Sequence, residues 1–213
     1  MLGRPAGRFQ REMLLDPSEF AFTTALEHGF PIVRDEFRRL RRDDFMVWPD
    51  RAAYGGDWLV APLFMSSHYP GIESHFAINQ SKCPRTTRLV REIPGVTAAV
   101  LSWLEPGCHI YSHCDVKAIH VLRAHLALEV ADGALMRVGD DVHTWHEGHC
   151  LLFDGFINHE SGNRGSVRRV ILMFDAALCG AEFDRLQAWR DGHGLVVDPR
   201  LVLVHPHTRQ TMA

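Results

Sequence analysis

Most of the features that would place this sequence in a broad class at a glance are missing from it. Nowhere do the roughly 18 consecutive apolar residues of a membrane-spanning helix run together, so stable membrane insertion is not expected. The start, MLGRPAGRFQREMLL, carries arginines but no unbroken apolar segment and no small-residue cleavage site, and it does not read as a secretory signal. Five cysteines, Cys83, Cys108, Cys114, Cys150 and Cys179, make an odd set without a repeated CxxC spacing. That fits reduced thiols in a cytoplasmic protein, not a disulfide framework or a tetrahedral zinc set. Positive charge is not in excess: 23 Lys and Arg stand against 26 Asp and Glu, giving a net charge of -3 and a pI near 6.5. A nucleic-acid partner is therefore not expected. Internal repeats, low-complexity tracts and linkers are also lacking, so the 213 residues are read as a single domain, 1–213, with one sizeable core. Histidine, by contrast, is abundant, with 14 residues.

The chain changes texture along its length. Asp16-Pro17-Ser18-Glu19 is a cap-and-first-turn signal, and the segment 16–42 reads as two short helices broken near Gly29 and Pro31. Phe20, Leu26, Phe37 and Leu40 would pack on a sheet, while the RRLRR run forms a solvated face. From Trp58 onward, short segments rich in Val, Ile, Leu, Phe and Trp alternate with Pro-Gly, Asp-Gly and Gly-Asp pairs: DWLVAPLF, TAAVLSWL, HVLRAHLALEV, LMRVG, HTWHEG, CLLFDG and RRVILMFD. Many short strands at such spacing predict an antiparallel sandwich or barrel. GAEFDRLQAWRDGHG reads as a further helix and LVVDPRLVLVHP as an extended tail.

Chemistry concentrates in SHCDVKAIHVLRAHLALEV, residues 112–130. In a strand, residues two apart face the same way, so His113 and Asp115 would present an imidazole and a carboxylate to one side. His159, in FDGFINHESGN, follows an apolar strand at a polar turn and is the candidate for a third ligand. Two histidines and one carboxylate with open positions suit non-haem Fe(II). An HxD pattern alone is a weak signal, since a histidine beside an apolar segment is more often structural.

The alternation of VRRVILMFD adds a second constraint. Either Arg168, with Val170, Leu172 and Phe174, or Arg169, with Ile171, Met173 and Asp175, must share a face with apolar side chains. A guanidinium there is costly unless an anion pairs with it, or unless its stem lies on an edge strand with the head in water. Arg123 and His125 repeat the theme on LRAHLALEV. Two arginines and a histidine on strands beside a candidate iron face would suit a small dianion. His143, His146 and His149 around Trp145 read as surface or turn residues, and Asp154 and Asn163 as turn residues held by local backbone bonds.

PGCHIYSHCD, LRAHLALEV, WHEGHCLLFDGFINHESGN and RRVILMFD, in this order, resemble the aspartyl/asparaginyl beta-hydroxylase family of Fe(II)- and 2-oxoglutarate-dependent dioxygenases. The resemblance extends upstream through KCPRTTRLV and DWLVAPLF and covers roughly residues 56–175. It implies a double-stranded β-helix, a jelly-roll or cupin-like barrel, mainly β with flanking helices. It implies His113 and His159 as iron ligands, with Asp115 at the third position, where some animal members carry glycine and bacterial relatives commonly carry the acid. Arg169 matches the arginine that pairs with the far carboxylate of 2-oxoglutarate, and Ser102 matches a serine supporting that end. Arg123 and His125 match a pair near the metal-binding end of the cosubstrate, although the segment from His113 to Arg123 is one residue longer than in animal members. Trp58 matches a tryptophan near the pocket.

The implied reaction consumes dioxygen and 2-oxoglutarate to hydroxylate an unactivated C–H bond. The family points to the beta carbon of an aspartyl- or asparaginyl-like amino acid, free or bound to a peptide or carrier. Related bacterial members act on lipid acyl chains, which is the alternative substrate class, and a non-catalytic barrel sensing iron or 2-oxoglutarate is a further one. If the substrate bears a carboxylate, Arg85, Arg88 or Arg91 near the expected mouth would meet it, although solvated surface is the commoner reading of such residues.

Overall fold

A computed structural model describes residues 12–66, 71–115 and 118–197. Its strands are β1 (Met46–Val47), β2 (Tyr54–Gly55), β3 (Trp58–Met65), β4 (Val96–Leu104), β5 (His109–His113), β6 (Val121–Glu129), β7 (Ala134–Val138), β8 (Asp141–His143), β9 (Cys150–Phe153), β10 (His159–Asn163) and β11 (Arg169–Ala177). Its helices are α1 (Ala21–Phe37), α2 (Phe76–Lys82), α3 (Pro84–Glu92) and α4 (Gly180–His193). None of the described helices is long and apolar enough to cross a membrane. Beyond Val197, the extended tail expected from LVVDPRLVLVHP lies outside the described residues.

The strands form a six-stranded sheet ordered β1-β3-β4-β11-β6-β9 and a five-stranded sheet ordered β2-β5-β10-β7-β8. From β4 to β11 the chain alternates between the two sheets except at the β7-β8 hairpin, and the last strands, β10 and β11, insert between earlier ones. That interleaving, antiparallel throughout, is the double-stranded β-helix expected from the sequence.

Burial explains the large sheet. Its alternating residues feed two cores, one on each face. Leu101, Leu122, Leu126, Leu172 and Phe174 face a layer made by Phe22, Leu26, Val33 and Phe37 of α1, Val90 of α3 and Leu186 of α4. Val60, Val100, Ala127, Phe153, Ile171 and Met173 face inward, toward Ile110, Met136 and Val138 of the small sheet. A strand covered on both sides reads as a nearly continuous apolar run, as CLLF and RVILMF do.

The predicted break near Gly29 and Pro31 does not occur: α1 runs unbroken through both. Gly29 is buried, and a Cβ there would lie 2.2 Å from Leu89 Cδ2, so the glycine serves the close approach of α3 instead of ending the helix. Packing along one face outweighs the bond lost at Pro31. HTWHEG is also not a strand: β8 ends at His143, and the remainder is a loop carrying the buried Trp145. His146 and His149 are exposed, as expected. All five cysteines are free.

Candidate metal and carboxylate site

The cavity between the two sheets gathers the residues that the sequence singled out. His113, Asp115 and His159 bring one ligand atom each to within 4.8 Å of one another, and they are the only such group of three or more among the described residues. His113 and His159 are direct cross-strand partners of β5 and β10, their rings 4.3 Å apart.

The local route differs from simple alternation. Ile110 also faces inward, so strict alternation would turn Ser112 in and His113 out. Between the pairs His159↔His113 and Ser161↔Ile110 the register shifts by one residue, and this bulge in β5 turns the His113 ring inward. β5 then ends, so Asp115 is not a strand residue as predicted. It reaches the histidines from a loop, pinned by its own N–H to Gly155 O at 2.7 Å.

Both histidines are aimed by the same device. His113 Nδ1 lies 2.6 Å from Tyr111 O and His159 Nδ1 2.8 Å from Ile157 O. A carbonyl only accepts, so each Nδ1 carries a proton and each Nε2 is directed toward Asp115. The Nε2 to carboxylate distances are 4.0 Å for His113 and 3.7 Å for His159. Burial depresses the His159 pKa to about 4, against the pull of Asp115, so the ring is neutral at pH 7.

Arg123 faces this group, yet its guanidinium is already committed. It grips Asp175 through two bonds, 2.8 and 3.0 Å, and reaches Asp115 Oδ2 at 2.5 Å. Burial disfavours its charge, but the two carboxylates outweigh that cost and hold it firmly protonated. Asp175 is a site residue that the sequence reading missed. Its signal was present, since it shares the Arg169, Ile171, Met173 face of β11.

Arg169 is the arginine that turns inward, and it is only 1% exposed. Its Nη2 donates to Ser161 Oγ at 3.3 Å, and its guanidinium lies 4.8 Å from the Trp145 ring centroid. Nε and Nη1 have no partner among the described residues. Burial without a facing anion lowers its pKa to about 9, which still leaves it cationic at pH 7. Arg168 leaves on the opposite face, paired with Glu129 at 2.6 Å and lying over Trp103.

The remaining candidates line the same cavity. Ser102 Oγ accepts the Trp58 indole N–H at 2.9 Å, so Trp58 orients the serine. Trp58 is itself fixed by Trp48, stacked at 4.6 Å, and by the edge of Tyr54. His125 is kept neutral, its pKa pushed well down by burial and then by Arg123 and Arg169. Its buried Nδ1 also lacks a partner among the described residues. Arg85 is not at the mouth: it binds Glu36 and Asp35 of α1 on the helical side of the large sheet, and Arg88 and Arg91 are exposed on the same helix, α3.

A sequence profile described as Aspartyl/Asparaginyl beta-hydroxylase matches residues 27–177. The chain belongs to this family. An ornithine lipid ester-linked acyl 2-hydroxylase of Rhizobium tropici is 30% identical over 165 residues, covering 75% of this chain and 58% of that protein. The Xenopus tropicalis aspartate beta-hydroxylase domain-containing protein 2 is 37% identical over 164 residues, 70% of this chain and 42% of that one. The human aspartyl/asparaginyl beta-hydroxylase is 26% identical over 174 residues, 75% of this chain and 22% of that one. The chain thus spans between about a fifth and three fifths of these family members' lengths. Among solved structures, a 2OG-Fe(II) oxygenase family oxidoreductase from Burkholderia pseudomallei overlays with a TM-score of 0.46 at 13% identity, covering 72% of this chain and 81% of that one.

Proposed function

We propose that this chain is an Fe(II)- and 2-oxoglutarate-dependent hydroxylase acting on the beta carbon of an aspartyl- or asparaginyl-like amino acid, free or presented by a peptide or carrier. Arg169 carries the reading. A buried cation with two unpartnered donors needs an anion, and none of the described residues supplies one. Its neighbour Ser161 stands two residues from His159 on the same face of β10, about 7 Å along the strand. A five-carbon dicarboxylate spans such a gap, with one carboxylate on Arg169 and the other end toward the histidines.

The donor set suits Fe(II): two imidazoles, each aimed by an Nδ1–H bond to a carbonyl, and one carboxylate, leaving open positions. When bound, iron with 2-oxoglutarate and dioxygen supplies oxidative chemistry that yields succinate, carbon dioxide and a hydroxylated product. The protein's contribution is placement. His113, His159 and Asp115 hold the metal, while Arg169 and Ser102 receive the far carboxylate. Arg123 keeps Asp115 oriented, and the apolar walls Ile110, Met136 and Phe153 exclude water from the charged ends.

Asp115→Ala weakens Fe(II) binding by more than the roughly 10–100-fold typical of losing an outer-shell partner, while leaving the fold intact, because Arg123 retains Asp175. Titration of the anaerobic protein with Fe(II) reads this directly, and wild-type affinity would mean that two histidines suffice.

The similarity to the Rhizobium tropici acyl hydroxylase, 30% identity over 75% of this chain, favours one second reading, hydroxylation of a lipid acyl chain. Succinate formation with Fe(II), ascorbate and 2-oxoglutarate separates the two. Stimulation by aspartate, asparagine or peptides containing them supports the first, and stimulation only by acyl lipid in detergent supports the second. No succinate with either class, beyond the substrate-free rate, would contradict both.

A further inference from the structure

Two segments bring the three clustered side chains together, and one arginine touches both. Asp115 follows β5, and Ile119 lies just ahead of β6. The turn from Asp154 leads out of β9 into His159 and serves both ligand candidates. Its Gly155 O accepts the Asp115 N–H at 2.7 Å, and its Ile157 O holds His159 Nδ1 at 2.8 Å. Gly155 also lets the two segments touch, since a Cβ there would lie 3.0 Å from Asp115 Cβ. Asp154 closes the turn, its Oδ1 accepting the Phe156 N–H at 3.1 Å.

Asp154 is more than the locally satisfied turn residue expected from sequence. It is fully buried, and its Oδ2 accepts from Arg190 Nε, on α4, at 2.7 Å. Arg190 Nη1 donates to Ile119 O at 2.7 Å and to Gln187 Oε1 at 2.8 Å, and its guanidinium lies 5.4 Å from the Phe156 ring centroid. A single buried guanidinium therefore ties the turn before His159 to the loop after Asp115.

A buried ion pair is a poor device for mere stability, because desolvation offsets most of the attraction and an apolar pair would anchor a helix as well. Leu186 already fixes α4 to the core. What an apolar pair lacks is a set of directed bonds to two loops at once. We propose that Arg190 is a positioning residue for the metal site, clamping the two segments so that Asp115 and the histidines hold their spacing before any ligand arrives. This rests on the reading of His113, Asp115 and His159 as metal ligands. Arg190 lies outside residues 27–177, which the family profile matches, so the clamp comes from a helix beyond the matched region.

Two variants test the clamp. Arg190→Met combined with Asp154→Asn removes the pair without leaving a buried charge unpaired, and Asn keeps an acceptor for Phe156. Arg190→Lys keeps a cation near Asp154 but loses the fork that reaches Ile119. Each variant and the wild type are titrated with Co(II), followed by its visible absorption. Amide hydrogen exchange at Asp115 is measured on the metal-free proteins.

The expected result is a wild-type-like thermal midpoint, Co(II) affinity lower by about 10–100-fold with an altered band shape, and Asp115 exchange about 10-fold faster while Leu172 stays protected. Folded variants with wild-type Co(II) affinity, spectrum and Asp115 exchange overturn the proposal. Should the double variant fail to fold, Arg190→Lys decides by the same readings. A wild type that binds no stoichiometric Co(II) overturns the metal reading instead, and Asp115 exchange still judges the clamp.

Discussion

His159→Ala and His113→Ala each reduce turnover by at least about a thousandfold, a loss of about 4 kcal/mol in transition-state stabilisation, while far-ultraviolet circular dichroism stays that of the wild type. The two rings are opposite each other across β5 and β10, with each Nδ1–H spent on a carbonyl and each Nε2 left for the metal. Neither contributes the backbone bonds that hold the strands, so the sheet survives their removal. His159 is buried against Phe153, and deleting its ring leaves a cavity; His113 is partly exposed and leaves none. A modest fall in thermal midpoint is thus expected for His159→Ala alone. Steady-state succinate formation and Fe(II) titration check both variants, and wild-type turnover in either refutes its assignment.

Arg169→Met separates function from stability. Arg169 is a buried cation with no carboxylate partner among the described residues, whereas methionine fills similar space without a charge. The variant is expected to unfold about 1–4 kcal/mol later than wild type in denaturant. It also loses the stabilisation that 2-oxoglutarate confers, which for the wild type at a hundred times its dissociation constant is about 2.7 kcal/mol. Denaturant melts with and without 2-oxoglutarate read both effects. A variant less stable than wild type but still protected by 2-oxoglutarate would place the cosubstrate elsewhere.

Much of this architecture was legible in the sequence because its strands are short, apolar and punctuated. The segments containing Leu122, Leu152 and Leu172 read as strands of a sandwich or barrel, and the two-residue period sorted Arg169 from Arg168 once the structure fixed which face turned inward. His113, His159, Arg169, Ser102, Arg123, His125 and Trp58, to which the motifs and the family resemblance pointed, line one cavity. Period alone misjudged the approach of Asp115, because a bulge in β5 is invisible to alternation and the strand stops before the carboxylate. Asp175 was placed on the Arg169 face but given no role, because its partner Arg123 lies on another strand and alternation does not show which strands pair. Asp154 was read locally because its partner Arg190 lies 36 residues away, on a helix whose sequence does not mark which arginine is buried. Gly29 and Pro31 misled because local breakers yield when a packed face runs through them.

The central claim is that one cavity holds Fe(II) through His113, Asp115 and His159 and 2-oxoglutarate through Arg169. Anaerobic titration of Fe(II) into the protein with 2-oxoglutarate, followed by visible charge-transfer absorption, tests it most directly. The account predicts a band saturating at one equivalent of iron, absent without 2-oxoglutarate, and lost in His159→Ala and in Arg169→Met. A wild type that gives no such band, or one that persists unchanged in both variants, would contradict it.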